Sequence, residues 1–282
     1  MPLPSALSEI LEYRGVEGLV AAELTADSSS EITYGNVFAV AGVAQISKTT
    51  EGSSETHYYD NRGAIVIQST GSDTVTINAS AIPLEVLAEL TGQAYDTAKG
   101  ALFEGQRKKK YFALGYQTKK TNGDLVYVWR LKGTFAVPDE TSETENNGTG
   151  ANGQTLTYTG IDTIHTFTNV TDEDGNKLPA KSVVVDVAKG LADVSSFFSA
   201  VVTPDTLVAK TAYKLTKTQA ANTVLSVKRA GVELATNADI YVGDRLTITV
   251  TGGTVTVDGE DFISGDIHVV TGNTAVVSTA SA

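Results

Sequence analysis

Hydrophobic and polar residues alternate along most of this chain, which is the period-two pattern of half-buried β-strands. Residues 64–79 show two such runs, around Ile65 and around Ile77, on either side of Gly71-Ser72-Asp73. Because glycine, serine and aspartate favour turns, this segment predicts two paired strands joined at residues 71–73. The abundance of Thr and Val and the 26 glycines extend the same prediction to the rest of the chain, a mainly β protein.

Residues 111–133 give the clearest local pattern, two alternating runs separated by Asn122-Gly123. Asn-Gly can supply the two positive-φ residues of a type I′ turn, so the segment predicts a β-hairpin. One face of the second strand is predicted to belong to the core, and it carries Leu125, Tyr127, Trp129 and Leu131. A further turn is predicted at Asp174-Gly175, between strand-like residues 161–170, which include His165 on a polar face, and residues 181–187.

Helical periodicity is rare in this sequence. Residues 83–91 place apolar side chains on one stripe, with Pro83 in the first turn and Gly92 as the stop signal, and predict one amphipathic helix on the β scaffold. Residues 189–201 show a weaker helical spacing that includes Phe197. Residues 47–63 and 138–153 are polar and rich in turn residues, so both predict irregular loops.

Short alternating runs follow one another at close spacing after Thr203-Pro204-Asp205, which is typical of a small β-sandwich. Hairpin turns are predicted at Arg229-Ala230-Gly231 and at Gly252-Gly253. The change in pattern predicts two domains, residues 1–202 and 203–282.

Composition narrows the class of protein. Of 282 residues, 41% are hydrophobic and 19% charged, which is typical of a folded chain, and the absence of cysteine excludes disulfides and thiolate chemistry. The net charge of −12 opposes a broad phosphate-binding surface and disfavours tight DNA binding. No basic segment followed by an apolar core opens the chain, and no apolar run approaches the roughly 20 residues that span a bilayer. We therefore expect a soluble protein made without a signal peptide.

Catalytic and metal-binding motifs are missing from the sequence. His57, His165 and His268 lie far apart without ligand-like spacing, and neither HExxH, G-x-S-x-G nor a Walker sequence occurs. Residues 172–176 imitate the start of a calcium loop, but Lys177 and Val183 stand where that loop needs Gly and Glu. The sequence therefore predicts no enzymatic activity, no cofactor and no metal site.

Two clusters remain as candidates for binding. The segment ETHYYDN, residues 55–61, could be catalytic only if a third group oriented His57, whereas a contact role asks only for exposed aromatic side chains. The run Arg107-Lys108-Lys109-Lys110 could be a nucleic-acid patch or a complement to an acidic neighbouring subunit. The acidic balance of the chain favours the second interpretation.

Several segments between residues 12 and 200 also occur, in the same order, in a known family. They are EYRGVEGLVAAELT, ITYG, AGVAQISKTTEGSSETHYYDN, ASAIPLEVLAELTG, RKKKYFALGYQTKKTNGDLVYVWRLKGTF and NGQTLTYTGIDTIHTF. Together they resemble the phi13-type major tail proteins of long-tailed phages of Gram-positive bacteria. The strand pattern after residue 203 resembles the immunoglobulin-like domains that some tail proteins carry on the outside of the tube.

The resemblance implies a tail tube subunit, two β-sheets packed as a sandwich or partial barrel with a flanking helix at residues 83–91. It also implies that residues 47–63 form a long loop that reaches an adjacent subunit or ring. Subunits of the family form hexameric rings that stack into a tube, through which phage DNA passes without specific binding, and an acidic lumen would keep that DNA from adhering.

The expected partners are further copies of the chain, a tape measure protein, and tail terminator and initiator proteins, with no membrane involved. The expected location is the tail of the virion, after assembly in the cytoplasm of the host bacterium. The residues then expected at inter-subunit contacts are His57, Tyr58, Tyr59, Asp60, Arg107, Lys108, Lys109 and Lys110. The alternative is an adhesive or carbohydrate-binding β-sandwich protein, a role that residues 204–282 could carry alone.

Overall fold

The computed structural model describes residues 10–139, 153–272 and 275–281. Strands dominate, so the predicted mainly β fold is confirmed. The described residues fall into two compact units that divide between Val208 and Ala209. Of the two predicted irregular loops, the second lies almost entirely outside the described residues.

In its described residues the first unit consists of strands, a single turn of 3-10 helix and the predicted amphipathic helix. Its elements are β1 (Tyr13–Asp27), β2 (Ile32–Tyr34), β3 (Phe38–Ala39), β4 (Val43–Tyr59), β5 (Arg62–Ala79), α1 (Leu84–Thr91), β6 (Ala94–Asp96), β7 (Ala101–Phe103), β8 (Phe112–Lys120), β9 (Leu125–Phe135), β10 (Gln154–Gly160), β11 (Phe167–Thr171), β12 (Lys177–Leu178), β13 (Ser182–Asp186) and the 3-10 turn Val187–Lys189.

Nine of these strands form one sheet in the order β2-β1-β8-β9-β10-β5-β4, with β3 added to β1 and β13 added to β9. The sheet forks at β9, whose first half pairs with β13 and whose last residues pair with β10. Strands β1 and β4 come within 8 Å of each other, Cα to Cα, but form no hydrogen-bonded ladder. The strands that the structure describes therefore curl toward a barrel without closing it.

Strand β9 lies at the centre of the first unit and is buried on both faces. Trp129 and Leu131 belong to the predicted core face and are fully buried. Val126 and Val128, on the opposite face, are buried in a second hydrophobic cluster with Phe112. The sequence predicted a core on one face only, and a strand covered on both faces belongs to the middle of a layered fold.

Two charged side chains on that opposite face of β9 are also buried. The Lys132 ammonium lies 2.6 Å from the carboxylate of Asp27, and the Arg130 guanidinium lies 3.4 Å from that of Asp73. Asp27 also accepts the backbone N–H groups of Ile164 and His165. Burial would raise the pKa of Asp27, but these hydrogen bonds and the Lys132 charge lower it below its ordinary value.

The predicted hairpin over residues 111–133 is confirmed as β8 and β9, but the predicted turn type is wrong. The amide of Gly123 bonds the carbonyl of Lys120, and the amide of Lys120 bonds the carbonyl of Asp124, which closes a three-residue loop. Among the three loop residues, 121–123, only Gly123 takes a positive φ, of +97°. This is a type I turn followed by a bulge, the common solution for loops of three residues.

The two strands predicted within residues 64–79 are wrong, because β5 runs unbroken from Arg62 to Ala79. The turn residues Gly71 and Ser72 instead face the single residue Glu51 of β4, between the pairs Thr50↔Asp73 and Gly52↔Thr70. They form a β-bulge, and glycine is common at bulges as well as at turns.

The predicted helix is confirmed as α1, which ends at Gly92 with φ +71°. A Cβ atom at position 92 would lie 1.9 Å from the carbonyl oxygen of Lys108, so no other residue fits there. The weaker helix predicted over residues 189–201 is wrong. After Lys189, the last residue of the 3-10 turn, the chain forms one short bridge at Ala192 and turns at residues 195–199, and Phe197 is buried through its contact with β9.

The predicted strand over residues 161–170 is shorter than expected and begins only at Phe167. His165 therefore lies outside a strand, partly buried beside Phe167. The turn predicted at Asp174-Gly175 is confirmed, and it joins β11 to β12.

The second unit consists of two sheets that enclose one hydrophobic cluster. Its strands are β14 (Tyr213–Thr218), β15 (Val224–Arg229), β16 (Val232–Glu233), β17 (Asp239–Ile240), β18 (Arg245–Thr251), β19 (Gly253–Val257), β20 (Glu260–Phe262), β21 (Ile267–Val269) and β22 (Ala275–Ser281). One sheet has the order β17-β14-β22-β19-β20 and the other β16-β15-β18-β21; β14 and β22 are parallel neighbours.

One of the two hairpin turns predicted in this unit is confirmed. Ala230 and Gly231 both take positive φ and connect β15 to β16 as a two-residue turn. Gly252-Gly253 is not a hairpin turn, because β18 and β19 belong to different sheets and the chain crosses between them there.

Candidate subunit interface

The longest strand pair of the chain, β4 with β5, extends beyond the rest of its sheet. Pairing between β5 and β10 ends at Asp73↔Gly160, whereas β4 and β5 stay paired as far as Tyr59↔Arg62. Residues 52–70 thus form a two-stranded projection, here called the arm. The irregular loop predicted over residues 47–63 is wrong, since this segment belongs almost entirely to β4 and β5.

The tip of the arm is a two-residue turn made by Asp60 and Asn61. Both residues take positive φ, +50° and +60°, and the flanking pair is Tyr59↔Arg62. This is the type I′ arrangement that the sequence predicted at a different hairpin. Aspartate and asparagine tolerate the left-handed region better than other residues with a side chain, which explains how the turn forms without glycine.

Four large side chains on the arm are exposed. Tyr58 and Tyr59 keep 70% and 61% of their surface accessible, and Ile65 and Val66 keep 52% and 56%. None of these four belongs to a hydrophobic cluster of the described residues. An isolated ribbon of two strands is marginally stable in water, and the exposure of these four side chains gives the arm the properties of a surface that needs a partner.

The arm is attached firmly at its base. Asp73, next to the bulge, is buried and accepts a hydrogen bond of 2.8 Å from the Thr50 hydroxyl. Lys48 and Arg130 each lie 3.4 Å from its other oxygen. Burial would raise the pKa of Asp73, but the Thr50 hydrogen bond and the Lys48 charge lower it below its ordinary value. The arm is therefore connected to the central strand β9 by a charged group.

The second predicted cluster, residues 107–110, is here called the basic loop, and it lies against α1. The amide of Lys108 bonds the carbonyl of Gly92 at 2.9 Å. Lys110 bridges Glu89 of α1, at 2.6 Å, and Glu23 of β1, at 3.2 Å. Burial would lower the pKa of Lys110, but the hydrogen bonds that its ammonium donates to these two carboxylates raise that pKa above its ordinary value.

The predicted contact residues therefore form two groups. His57, Tyr58, Tyr59 and Asp60 lie together at the tip of the arm, and the four basic residues lie together beside α1. The two groups lie at opposite ends of β5, because the tip of the arm precedes Arg62 and α1 follows Ala79. Within its own copy Lys110 is already engaged in ion pairs, unlike its three neighbours in the described part of the chain.

Sequence reasoning missed an open groove of about 700 Å³ between β1 and β4. Its floor is formed by buried side chains of β8 and β9, and it lies where the two strands approach without pairing. The residues that line it include Tyr13, Val16, Ile46, Tyr116, Val126 and Val128. The sequence feature that could have indicated this groove is the second face of β9, which carries the apolar residues Val126 and Val128 and for which no packing partner was predicted.

The described residues offer little chemistry apart from contact. No group of three or more His, Asp or Glu side chains in the ranges given above could hold a metal ion. No helix within those ranges is both long and apolar enough to cross a membrane. The described residues do present an exposed ribbon, a free edge on β4 and complementary charges, which are typical of a protein that assembles with other chains.

Comparison with known families agrees with this class. The family described as phage tail tube protein matches residues 39–196, a range that contains the arm, α1, the basic loop and β8 to β10. The chain belongs to the phage tail tube protein family. It is a viral structural protein of the phage tail, and its role is to build the tail tube. No curated protein matches the chain.

Proposed function

We propose that this chain is the major tail tube protein of a phi13-type long-tailed phage, whose copies form hexameric rings that stack into a hollow tube. The observation that carries the proposal is the arm, an exposed two-stranded ribbon within a chain of the tail tube family. Assembly would cover the side chains of Tyr58, Tyr59, Ile65 and Val66, which are exposed in the single copy.

Free sheet edges support the same proposal. Strand β4 pairs only with β5 among the described strands, so its other edge presents unpaired backbone groups along 17 residues. Unpaired edges promote pairing with other chains, and a barrel that joins the sheets of several copies would remove them. The predicted contact residues His57, Tyr58, Tyr59 and Asp60 extend from this edge strand and its turn.

The net charge of −12 supports a lumen through which DNA passes without adhering, since a negative wall repels phosphates. Completion of such a tube would involve a tape measure protein, an initiator and a terminator, in the cytoplasm of the host. The second unit, with its own hydrophobic cluster, is proposed to be an immunoglobulin-like domain that decorates the outside of the tube.

Negative-stain electron microscopy of the concentrated protein, with light scattering for its mass in solution, tests the proposal. Sixfold rings or stacked tubes are expected. The same structures are expected after deletion of residues 209–282, because the arm and the nine-stranded sheet lie in the first unit. A protein that stays monomeric, or stops at a dimer or trimer without rings, would contradict the assembly role.

A further inference from the structure

We propose that the tip of the arm, residues 58–60, docks between α1 and the basic loop of a second copy of this chain, head to tail. The inference rests on the proposed function and names the surface that receives the arm. It assigns roles to Arg107, Lys108 and Lys109, whose charges the chain itself leaves unpaired in the described residues.

The positions of the two surfaces favour contact between copies over contact within one copy. Strand β5 has 18 residues, so the tip before it and α1 after it are separated by a contour of roughly 50–60 Å at about 3.3 Å per residue. Two different surfaces at opposite ends of a subunit give a heterologous interface, which repeats from copy to copy until it closes into a ring or extends into a tube.

The receiving surface contains a cavity with enough volume for a tyrosine ring. A cavity of about 380 Å³ lies beside α1, with an apolar floor that includes Leu90 and Phe135 and a rim that includes Arg107 and Lys109. Lys109 already lies 5.0 Å from the ring centre of Tyr111, so a lysine of this loop contacts an aromatic face in the structure. An apolar floor with a cationic rim suits a phenol ring, because the ring packs on the floor and its face attracts the cation.

Charge also matches across the two surfaces. Glu89 and Glu23 neutralise Lys110, but in the part of the chain that the structure describes no carboxylate forms an ion pair with the other three cations of the loop. Asp60 at the tip likewise has no ion-pair partner among the described residues. Bringing the tip to the basic loop would pair these charges and fix the orientation of the contact.

A competing occupant is the segment of the same chain between β9 and β10, whose sequence carries Glu140, Glu143 and Glu145. Its charge is also complementary to the basic loop. The experiment therefore needs to distinguish a neighbour's tip from this segment.

The absence of cysteine makes site-specific cross-linking possible in the full chain. Two single variants, Tyr59→Cys and Lys109→Cys, are mixed, concentrated and treated with a short bismaleimide, so that any mixed product joins two copies. We expect a mixed product between them. Lys119→Cys replaces Lys109→Cys as the control, since Lys119 is also an exposed lysine but lies near the far end of β8, and its yield should be lower by about tenfold or more. A preference for position 119 would overturn the inference.

Further variants identify what occupies the basic loop. The change Asp60→Asn, which keeps a residue that tolerates positive φ, should reduce the mixed product about two- to fivefold through loss of one charge pair. Replacing Glu140, Glu143 and Glu145 by Gln should leave the yield unchanged. A severalfold rise in yield would mean that the chain's own segment occupies the loop, against the inference.

Electron microscopy of the same mixtures separates the two proposals. Rings or tubes without a mixed 59–109 product would overturn the docking inference while the assembly role stands. Absence of rings from the unmodified protein would contradict the proposed function and the docking inference together.

Discussion

The β8–β9 hairpin and the β4–β5 arm are both antiparallel ribbons with short turns, but their own chain buries only the first. Both faces of β9 contact hydrophobic clusters, whereas the arm places two tyrosines and two aliphatic side chains in solvent. The difference shows that strand pairing and turn geometry are enough to form a ribbon. Burial of its side chains decides whether the ribbon is stable within one copy or needs contact with another chain.

The largest expected effect comes from breaking the buried hairpin. Trp129 is fully buried, and its indole N–H donates to the carbonyl of Phe197 at 2.8 Å. Trp129→Ala should lower the free energy of unfolding by about 4 kcal/mol, because it leaves a cavity and an unsatisfied carbonyl. Chemical denaturation of the monomer measures this. A loss below about 1 kcal/mol would mean that β9 is not the centre of the core.

The next effect comes from the buried ion pair on the same strand. Asp27→Asn leaves the Lys132 ammonium buried without its carboxylate and should cost about 3 kcal/mol at pH 7. The pKa of Asp27 is lowered on folding, so the carboxylate stabilises the fold above its unfolded pKa of about 3.9. That contribution is lost as pH falls through the lower, folded pKa.

Unfolding measured as a function of pH should therefore show an acid-sensitive component in the unmodified protein that is smaller in Asp27→Asn. Asp27→Asn combined with Lys132→Met is a suitable companion variant, because it removes both buried charges of the pair. Equal acid sensitivity of the Asn variant and the unmodified protein would assign the effect to other carboxylates.

Substitutions at the tip of the arm should have the opposite effect, a loss of assembly with little change in the free energy of unfolding. Tyr58→Ala with Tyr59→Ala should change the free energy of unfolding by no more than about 0.5 kcal/mol, since both side chains are mostly exposed. Assembly into rings should be lost, because both tyrosines leave the contact surface. Microscopy and denaturation of the same sample test both statements. Normal tubes from this variant would show that the tip is not an inter-subunit contact.

The smallest effect on stability is expected from a change in the turn of the arm. Asn61→Gly creates Asp-Gly, a preferred type I′ pair, and should stabilise the arm by a few tenths of a kcal/mol, about 0.3, seen as slower amide exchange at the tip. Gly123→Ala is the matched change in the other hairpin, where φ is +97°, and should destabilise by about 1 kcal/mol. Slower exchange in both variants would contradict the assigned turn geometry.

Sequence reasoning predicted features that depend on neighbouring residues. Helix α1 was predicted with its Gly92 stop, as were the β8–β9 hairpin and the Ala230-Gly231 turn. Periodicity and turn chemistry act over a few residues, so they can be read locally. The family resemblance added the tail tube role, which the match over residues 39–196 supports.

Errors occurred where contacts distant in the sequence decide the structure. Residues 71–72 form a bulge and not a turn because β4 continues alongside them. Residues 47–59 are polar yet form a strand because β5 supplies the pairing partner. The alternation along β9 placed Arg130 and Lys132 on the face opposite the predicted core. Both are buried because they form ion pairs with Asp73 and Asp27, which are distant in the sequence.

The parallel pairing of β14 with β22 has a mechanical consequence. The chain enters β14 at Tyr213 and leaves β22 at Ser281, and the two strands are bonded through pairs from Leu215↔Ala275 to Thr218↔Ser278. Tension applied between these ends pulls the strands past each other lengthwise. All the cross-strand hydrogen bonds then carry the load together, whereas a hairpin pulled open from its ends breaks them one at a time. The second unit is thus built to resist stretching along its strands.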